Sequence, residues 1–285
     1  MSGKLTTQRY TCATIYVNQY SGFSFVWIQK STSVEKTIKG KHAFKQLANH
    51  HDINITHYHA DNGVFRAKDW AANYHSRQQS VSYAAVGAHH QNGVAEHRIR
   101  VLQDMRRTQL LHAQERWFTA ISPYLWPYAL RIVNDEWNNT PNPRDREKLT
   151  PLQRFSSTTV SCNIHHSTLF GCLAYVLISE LQACLPFHKW KSWSNVGIHL
   201  GKSPLHARNV ALIMDRNSGR VSPQYHVKFD IASDTVMHQP LQCSWMLKAG
   251  FVRSIDTTST KVQPPTFSSK QPPSKDPSLV AESSL

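Results

Sequence analysis

Residues 53–63 read Ile53-Asn54-Ile55-Thr56-His57-Tyr58-His59-Ala60-Asp61-Asn62-Gly63, an alternating run that closes on an acid and a turn pair. Alternation with period two marks a strand with one buried face, and Asn-Gly favours a tight turn. The run therefore predicts a strand over Ile53–His59 that delivers Asp61 to its carboxyl end. A second acid, Glu96, stands in Gln91-Asn92-Gly93-Val94-Ala95-Glu96, at the head of a helical pattern running from Asn92 to about His112. One acid at a strand end and another on a later helix suit metal-dependent phosphoryl transfer. Carboxylates are hard oxygen ligands for Mg²⁺ or Mn²⁺, and paired ions activate the nucleophile and stabilise the leaving oxygen.

Working outward, Thr11–Val17 and Phe23–Gln29 are rich in β-branched and aromatic residues and flank Ser21-Gly22, which predicts a hairpin. Val34–Asn49 places Phe44, Leu47 and Ala48 at helical spacing with lysines on other faces. Lys68–Gln79 reads as a helix and Val81–Tyr83 as a short strand. Leu125–Asn138 predicts a further helix through Trp126, Tyr128, Leu130 and Trp137, stopped by Thr140-Pro141-Asn142-Pro143. After Pro151 the pattern shortens to strands at Cys172–Ile178, Asn195–Leu200, Val210–Met214 and Tyr225–Phe229, with a hairpin turn at Asn217-Ser218-Gly219. From Ser254 the chain is rich in Ser, Thr, Pro and Lys and lacks the apolar content to fold. The expectation is an α/β core over residues 10–150, a small β domain over 166–236 and a disordered tail over 254–285.

The chain has 285 residues, 40% of them hydrophobic, and a formal net charge of +14. A balance so basic, spread along the chain, points to an anionic partner, with DNA the first candidate. Arg98, Arg100, Arg106 and Arg107 lie on or beside the Glu96 helix, where they could grip phosphates. His57, His59, His89, His90 and His97 cluster near the two acids, but Mg²⁺ prefers oxygen, so these read as surface or hydrogen-bonded histidines. Cys12, Cys162, Cys172, Cys184 and Cys243 are odd in number and form no C-x-x-C pair, which argues for reduced thiols. No apolar run approaches the ~20 residues that span a bilayer, and Met1–Arg9 is polar. An intracellular protein with no membrane partner is expected.

Several words of the sequence, in order, resemble the integrase region of copia-type retrotransposons, part of the retroviral integrase superfamily. They are Tyr58-His59-Ala60-Asp61-Asn62-Gly63, Gly87-Ala88-His89-His90-Gln91-Asn92-Gly93-Val94-Ala95-Glu96 and Leu125-Trp126-Pro127-Tyr128-Ala129-Leu130, then Thr150-Pro151-Leu152 and Phe170-Gly171-Cys172. Gly201-Lys202-Ser203-Pro204 and Gly219-Arg220-Val221-Ser222-Pro223-Gln224-Tyr225-His226 continue the pattern.

The resemblance implies an RNase H-like core, an SH3-like β domain after it, and metal-dependent DNA integration by multimers in the nucleus. Asp61 would be the second metal ligand and Glu96 the third. The family's first ligand lies on a strand before the hairpin, and Met1–Tyr10 contain no acid. Asn18, in the hairpin word, reads as a turn residue and not as that ligand. The expectation is thus a core without its first strand and first carboxylate, inactive in strand transfer. A non-enzymatic DNA-binding or assembly module, or a decayed transposon remnant, are the alternatives.

Overall fold

The computed structural model describes residues 9–85, 89–117, 120–143, 146–158, 168–186, 188–207, 209–216 and 218–231. The tail from Ser254, Cys162, Cys243, Gly87, Ala88 and Asn217 lie outside them. The architecture is mixed α/β.

The expected hairpin forms, with β1 (Cys12–Val17) and β2 (Ser24–Gln29) antiparallel and Val17 opposite Ser24. Asn18 closes its turn. The Asn18 side-chain oxygen accepts bonds of 2.9 Å from both the amide and the hydroxyl of Ser21, and Gly22 takes φ +69°, a left-handed conformation glycine adopts without strain.

Period two then sorts the hairpin's side chains onto two faces. Ala13, Ile15, Val26 and Ile28 pack with Leu102, Trp126, Leu130 and Val133, from α3 (Gly93–Arg116) and α4 (Trp126–Asn139). Tyr16, Phe23, Phe25 and Trp27 pack with Phe44 and Ala48 of α1 (Val34–His50). Helix, hairpin and helix pair make three layers around one stack of apolar side chains. Each large side chain fully buried there contributes about 1.5–3 kcal/mol.

The strand carrying Asp61 is shorter than its alternation predicts. β3 spans His57–Ala60 and pairs in parallel with β4 (Ser80–Tyr83), His57 opposite Ser80. Upstream, the Ile55 carbonyl accepts the Gln79 side chain at 2.7 Å, so a side chain stands where a partner strand would be. Ile53 and Ile55 join the Phe44 core instead. The crossover between β3 and β4 contains α2, which ends at His75 (Lys68–His75), short of the expected Gln79; Gln78 takes φ +52°, which α-helix excludes.

α5 (Pro151–Ser156) begins with a capping box: the Thr150 hydroxyl accepts from the Gln153 amide at 3.1 Å, and the Gln153 side chain accepts from the Thr150 amide at 2.9 Å. It carries Phe155 onto Phe23, ring centroids 4.3 Å apart.

The remaining strands are β5 (Leu173–Leu177), β6 (Ser194–Lys202), β7 (Ala211–Asp215), β8 (Val221–Gln224) and β9 (Val227–Asp230), with the four-residue α6 (Ser179–Gln182) between β5 and β6. The strand expected over Tyr225–Phe229 starts two residues later, as β9, after a Tyr225-His226 corner that separates it from the further strand β8. All pairings are antiparallel, in the order β8-β7-β6-β5-β9. A flat sheet of this order would hold its outer strands roughly 19 Å apart. Two intervening residues span only about 10 Å, so the sheet curls until its edges meet. Its inner side shares a core with the helices: Leu173, Ile198, Leu200 and Met214 pack with Ala113, Trp117, Ala129 and Ile132.

Among the described residues, Cys12, Cys172 and Cys184 are free thiols, and no helix is long and apolar enough to cross a membrane.

Candidate functional site

β3 sets the site's orientation. Tyr58 points inward, its ring centroid 5.6 Å from that of Tyr74, while His57 and His59 point out. His57 bonds the hydroxyls of Ser80 and Ser82 at 2.7 and 2.9 Å, and His59 bonds Ser82 at 2.8 Å. Asp61 follows the strand directly and is exposed. One of its oxygens accepts the Gly63 amide. A Cβ on Gly63 would lie 3.3 Å from that oxygen, tight enough to press the carboxylate out of place.

Glu96 sits in the first turn of α3 and is half-buried. Unpaired amides at a helix start favour a negative charge there. A run of hydrogen bonds ties the two segments together. The Asn62 side-chain amide donates to the Ala84 carbonyl at the end of β4. The next amide, Ala85, donates to the Gln91 side chain at 2.8 Å, just ahead of α3. These two bonds tie the turn after Asp61 to the end of β4, and the end of β4 to the segment that leads into α3.

Both acids offer hard oxygen donors suited to Mg²⁺ or Mn²⁺. Among the described residues no three His, Cys, Asp or Glu side chains gather into a group that could hold a metal. The donor chemistry fits a divalent cation, while the donor count among the described residues falls short of a cage for one.

The four arginines fall into different environments. Arg98 turns inward, 7% exposed. Its guanidinium donates to the Gly22 carbonyl at 2.9 Å and the Ser24 hydroxyl at 3.0 Å, and lies 4.0 Å from the Trp137 ring centroid. Ser24 in turn meets Asn134 and Asn138 of α4, donating its amide to Asn138 Oδ1 at 2.9 Å. Burial draws the Arg98 pKa down to about 10. Arg106 is half-buried over Trp126 at 5.6 Å, its Nε and one terminal nitrogen without a partner, and burial lowers its pKa too. Arg100 and Arg107 are exposed. Of the four arginines expected to grip phosphates, Arg98 is committed to holding the hairpin turn on α3 and α4.

Lys41 is the residue whose place the sequence hid. On helical pattern it belongs to a lysine-bearing outer face, yet it is 0% exposed. Its Nζ donates to Asn73 Oδ1 at 2.8 Å and lies 3.8, 5.0 and 5.4 Å from the ring centroids of Tyr74, Tyr58 and Trp70. Desolvation, helped by Arg77 and Lys45, pulls its pKa down from 10.5 to about 8. Because the folded state holds this proton less tightly than the unfolded chain, stability rises with pH between these values and is lost as pH falls toward 8. In urea melts the stability difference between the native protein and Lys41→Met should shift in favour of the native protein by on the order of 2 kcal/mol from pH 7.5 to pH 9.5; an unchanged difference would refute this role for the lysine.

No protein-family model matches the chain, and no curated protein matches it. Solved structures give partial likenesses. The HTLV-2 integrase catalytic core domain in complex with magnesium, in its trimeric form, matches at 18% identity and TM-score 0.39, covering 53% of this chain and 88% of that chain. The dimeric form of the same core gives 18% identity and 0.39 over 54% and 90% of the two chains. The simian T-cell lymphotropic virus intasome, in complex with PP2A regulatory subunit B56 gamma, gives 16% identity and 0.42 over 81% and 75%. The chain is similar in part to these integrase structures, and its own chemistry rests on its own residues.

Proposed function

We propose that this chain is a copia-type, integrase-like core that binds DNA electrostatically and carries two of the three carboxylates that strand transfer requires. The observation that supports the reading is the pair of hydrogen bonds, Asn62 to Ala84 and Ala85 to Gln91, that ties the turn after Asp61 to the segment leading into the helix of Glu96. The hairpin β1–β2 and the pair β3–β4 are then two parts of a core sheet. A completed core would need a further strand between them that bears the first acid. The curled sheet β5–β9 is the SH3-like part, and Mg²⁺ or Mn²⁺ the cation that a completed site would take at Asp61 and Glu96.

The test has two arms. With Mg²⁺ or Mn²⁺ and DNA ends the chain should give no strand transfer. Adding an amino-terminal strand that bears an aspartate opposite Asp61 should restore it, and Glu96→Gln should abolish what is restored. Strand transfer by the unextended chain would overturn the reading of an incomplete site.

In the binding arm, duplex affinity should fall steeply between about 50 and 200 mM salt as counterions are released. Arg100→Ala with Arg107→Ala should reduce the salt slope by about 2, roughly 1 for each phosphate no longer neutralised. Salt-dependent binding without restored chemistry would instead favour a non-enzymatic DNA-binding or assembly module. Salt-independent binding would refute the electrostatic claim itself.

A further inference from the structure

One rim of the curled sheet gathers aromatic rings that the fold does not bury. Trp190 is 91% exposed, Trp193 63% and Tyr225 60%. Pairing places them together. Leu177 at the end of β5 lies opposite Ser194 at the start of β6, and the Ile178 amide donates to the Trp193 carbonyl at 3.1 Å. On the other side of β5, the Leu177 amide donates to the His226 carbonyl at 3.0 Å, one residue before β9 begins. Trp193 and His226 therefore flank the end of a single strand, their backbones roughly 10 Å apart at normal strand spacing. Tyr225 stands beside His226, ring centroids 4.9 Å apart and edge to face. The Trp190 loop is held by a turn in which the Lys191 amide donates to the His188 carbonyl at 3.0 Å.

The same rim is basic. Lys189 and Lys191 alternate with the two tryptophans, Lys228 lies on β9, and all three are exposed; Glu180 on α6 is the acid that accompanies them. Exposed flat rings interleaved with ammonium groups answer the two parts of an unpaired nucleotide. A base offers a face to stack on, and a phosphate a charge to neutralise. A duplex buries its base faces and cannot use the rings. A lipid surface would also attract lysine and tryptophan, but it rewards aliphatic anchors, and this loop exposes one, Leu185.

We propose that the Trp190–Trp193–Tyr225 rim is a stacking platform for single-stranded nucleic acid. The residues differ from Asp61, Glu96, Arg100 and Arg107, so the inference stands apart from the integrase reading.

The test uses the full chain with a thymidine oligonucleotide of about 20 nucleotides, a duplex of equal length, and vesicles of phosphatidylserine and phosphatidylcholine. The single strand should quench tryptophan fluorescence. Trp190→Ala with Trp193→Ala, both at exposed positions, should leave the thermal melt unchanged and weaken single-strand binding about 100-fold, roughly tenfold per stacked base. Duplex binding should change less than about threefold. Unchanged single-strand affinity, or equal loss for strand and duplex, would overturn the proposal. So would vesicle binding that depends on the two tryptophans while the oligonucleotide is held as before. Failure of strand transfer or of duplex binding bears on the integrase reading alone.

Discussion

Gly171→Ala should lower stability by about 2–5 kcal/mol. Gly171 takes φ +76°, and a Cβ there would lie 2.5 Å from the Ala113 Cβ. Two costs therefore combine: about 1–2 kcal/mol for a left-handed backbone bearing a side chain, and about 1–3 kcal/mol for overpacking. The neighbourhood cannot yield easily. The Gly171 carbonyl accepts the Trp117 indole at 2.6 Å and its amide donates to the His199 carbonyl at 2.9 Å, fixing the lead-in to β5 against α3. A thermal melt should shift by roughly 10 °C. Adding Ala113→Gly removes the clash but keeps the backbone cost, so the double variant should be more stable than the single one despite a helical glycine worth about 1 kcal/mol. A double variant that is less stable than Gly171→Ala would show that the close approach is not what matters.

Arg98→Ala should cost about 3 kcal/mol, while Arg107→Ala, further along the same helix, should stay within about 0.5 kcal/mol. Arg98 satisfies the Gly22 carbonyl and the Ser24 hydroxyl and covers the face of Trp137. Charged hydrogen bonds are worth about 1.5–3 kcal/mol, and a desolvated cation over an aromatic ring about 2. Desolvation of the guanidinium, visible in its lowered pKa, offsets part of that sum. Arg98→Met should therefore lose less than Arg98→Ala, because it keeps the packing and drops the buried charge. Equal urea midpoints for Arg98→Ala and Arg107→Ala would refute this division of the helix.

These residues show where sequence reading succeeds and where it stops. Local chemistry is enough for the β1–β2 hairpin, for Asn18 as its turn residue, and for Asp61 at a strand end, because each depends on near neighbours in the chain. It is enough in principle for α5, which the strand pattern after Pro151 did not predict: Thr150-Pro151-Leu152-Gln153 is a capping box with proline at the first helical position. The parallel pairing of β3 with β4 and the break at Tyr225-His226 are long-range matters. A period-two run does not say which strand it meets, nor that a corner must close a curled sheet. Burial of charge is the least legible. Lys41 and Arg98 occupy helical positions that look solvated until α2 and the hairpin turn close over them. The bonds from Asn62 to Ala84 and from Ala85 to Gln91 are likewise invisible, since in each one partner is a backbone group that every residue has.

The bond from the Ser24 amide to Asn138 joins residues 114 positions apart, and this has a consequence for the chain as it leaves the ribosome. At about 5–20 residues per second, α4 emerges roughly 6–20 s after the hairpin that it covers. Until then Ala13, Ile15, Val26 and Ile28 lack the α4 part of their cover, Trp126, Leu130 and Val133, and β1 and β2 present open edges to other nascent chains. A hairpin that could form in microseconds therefore stays only partly covered for seconds.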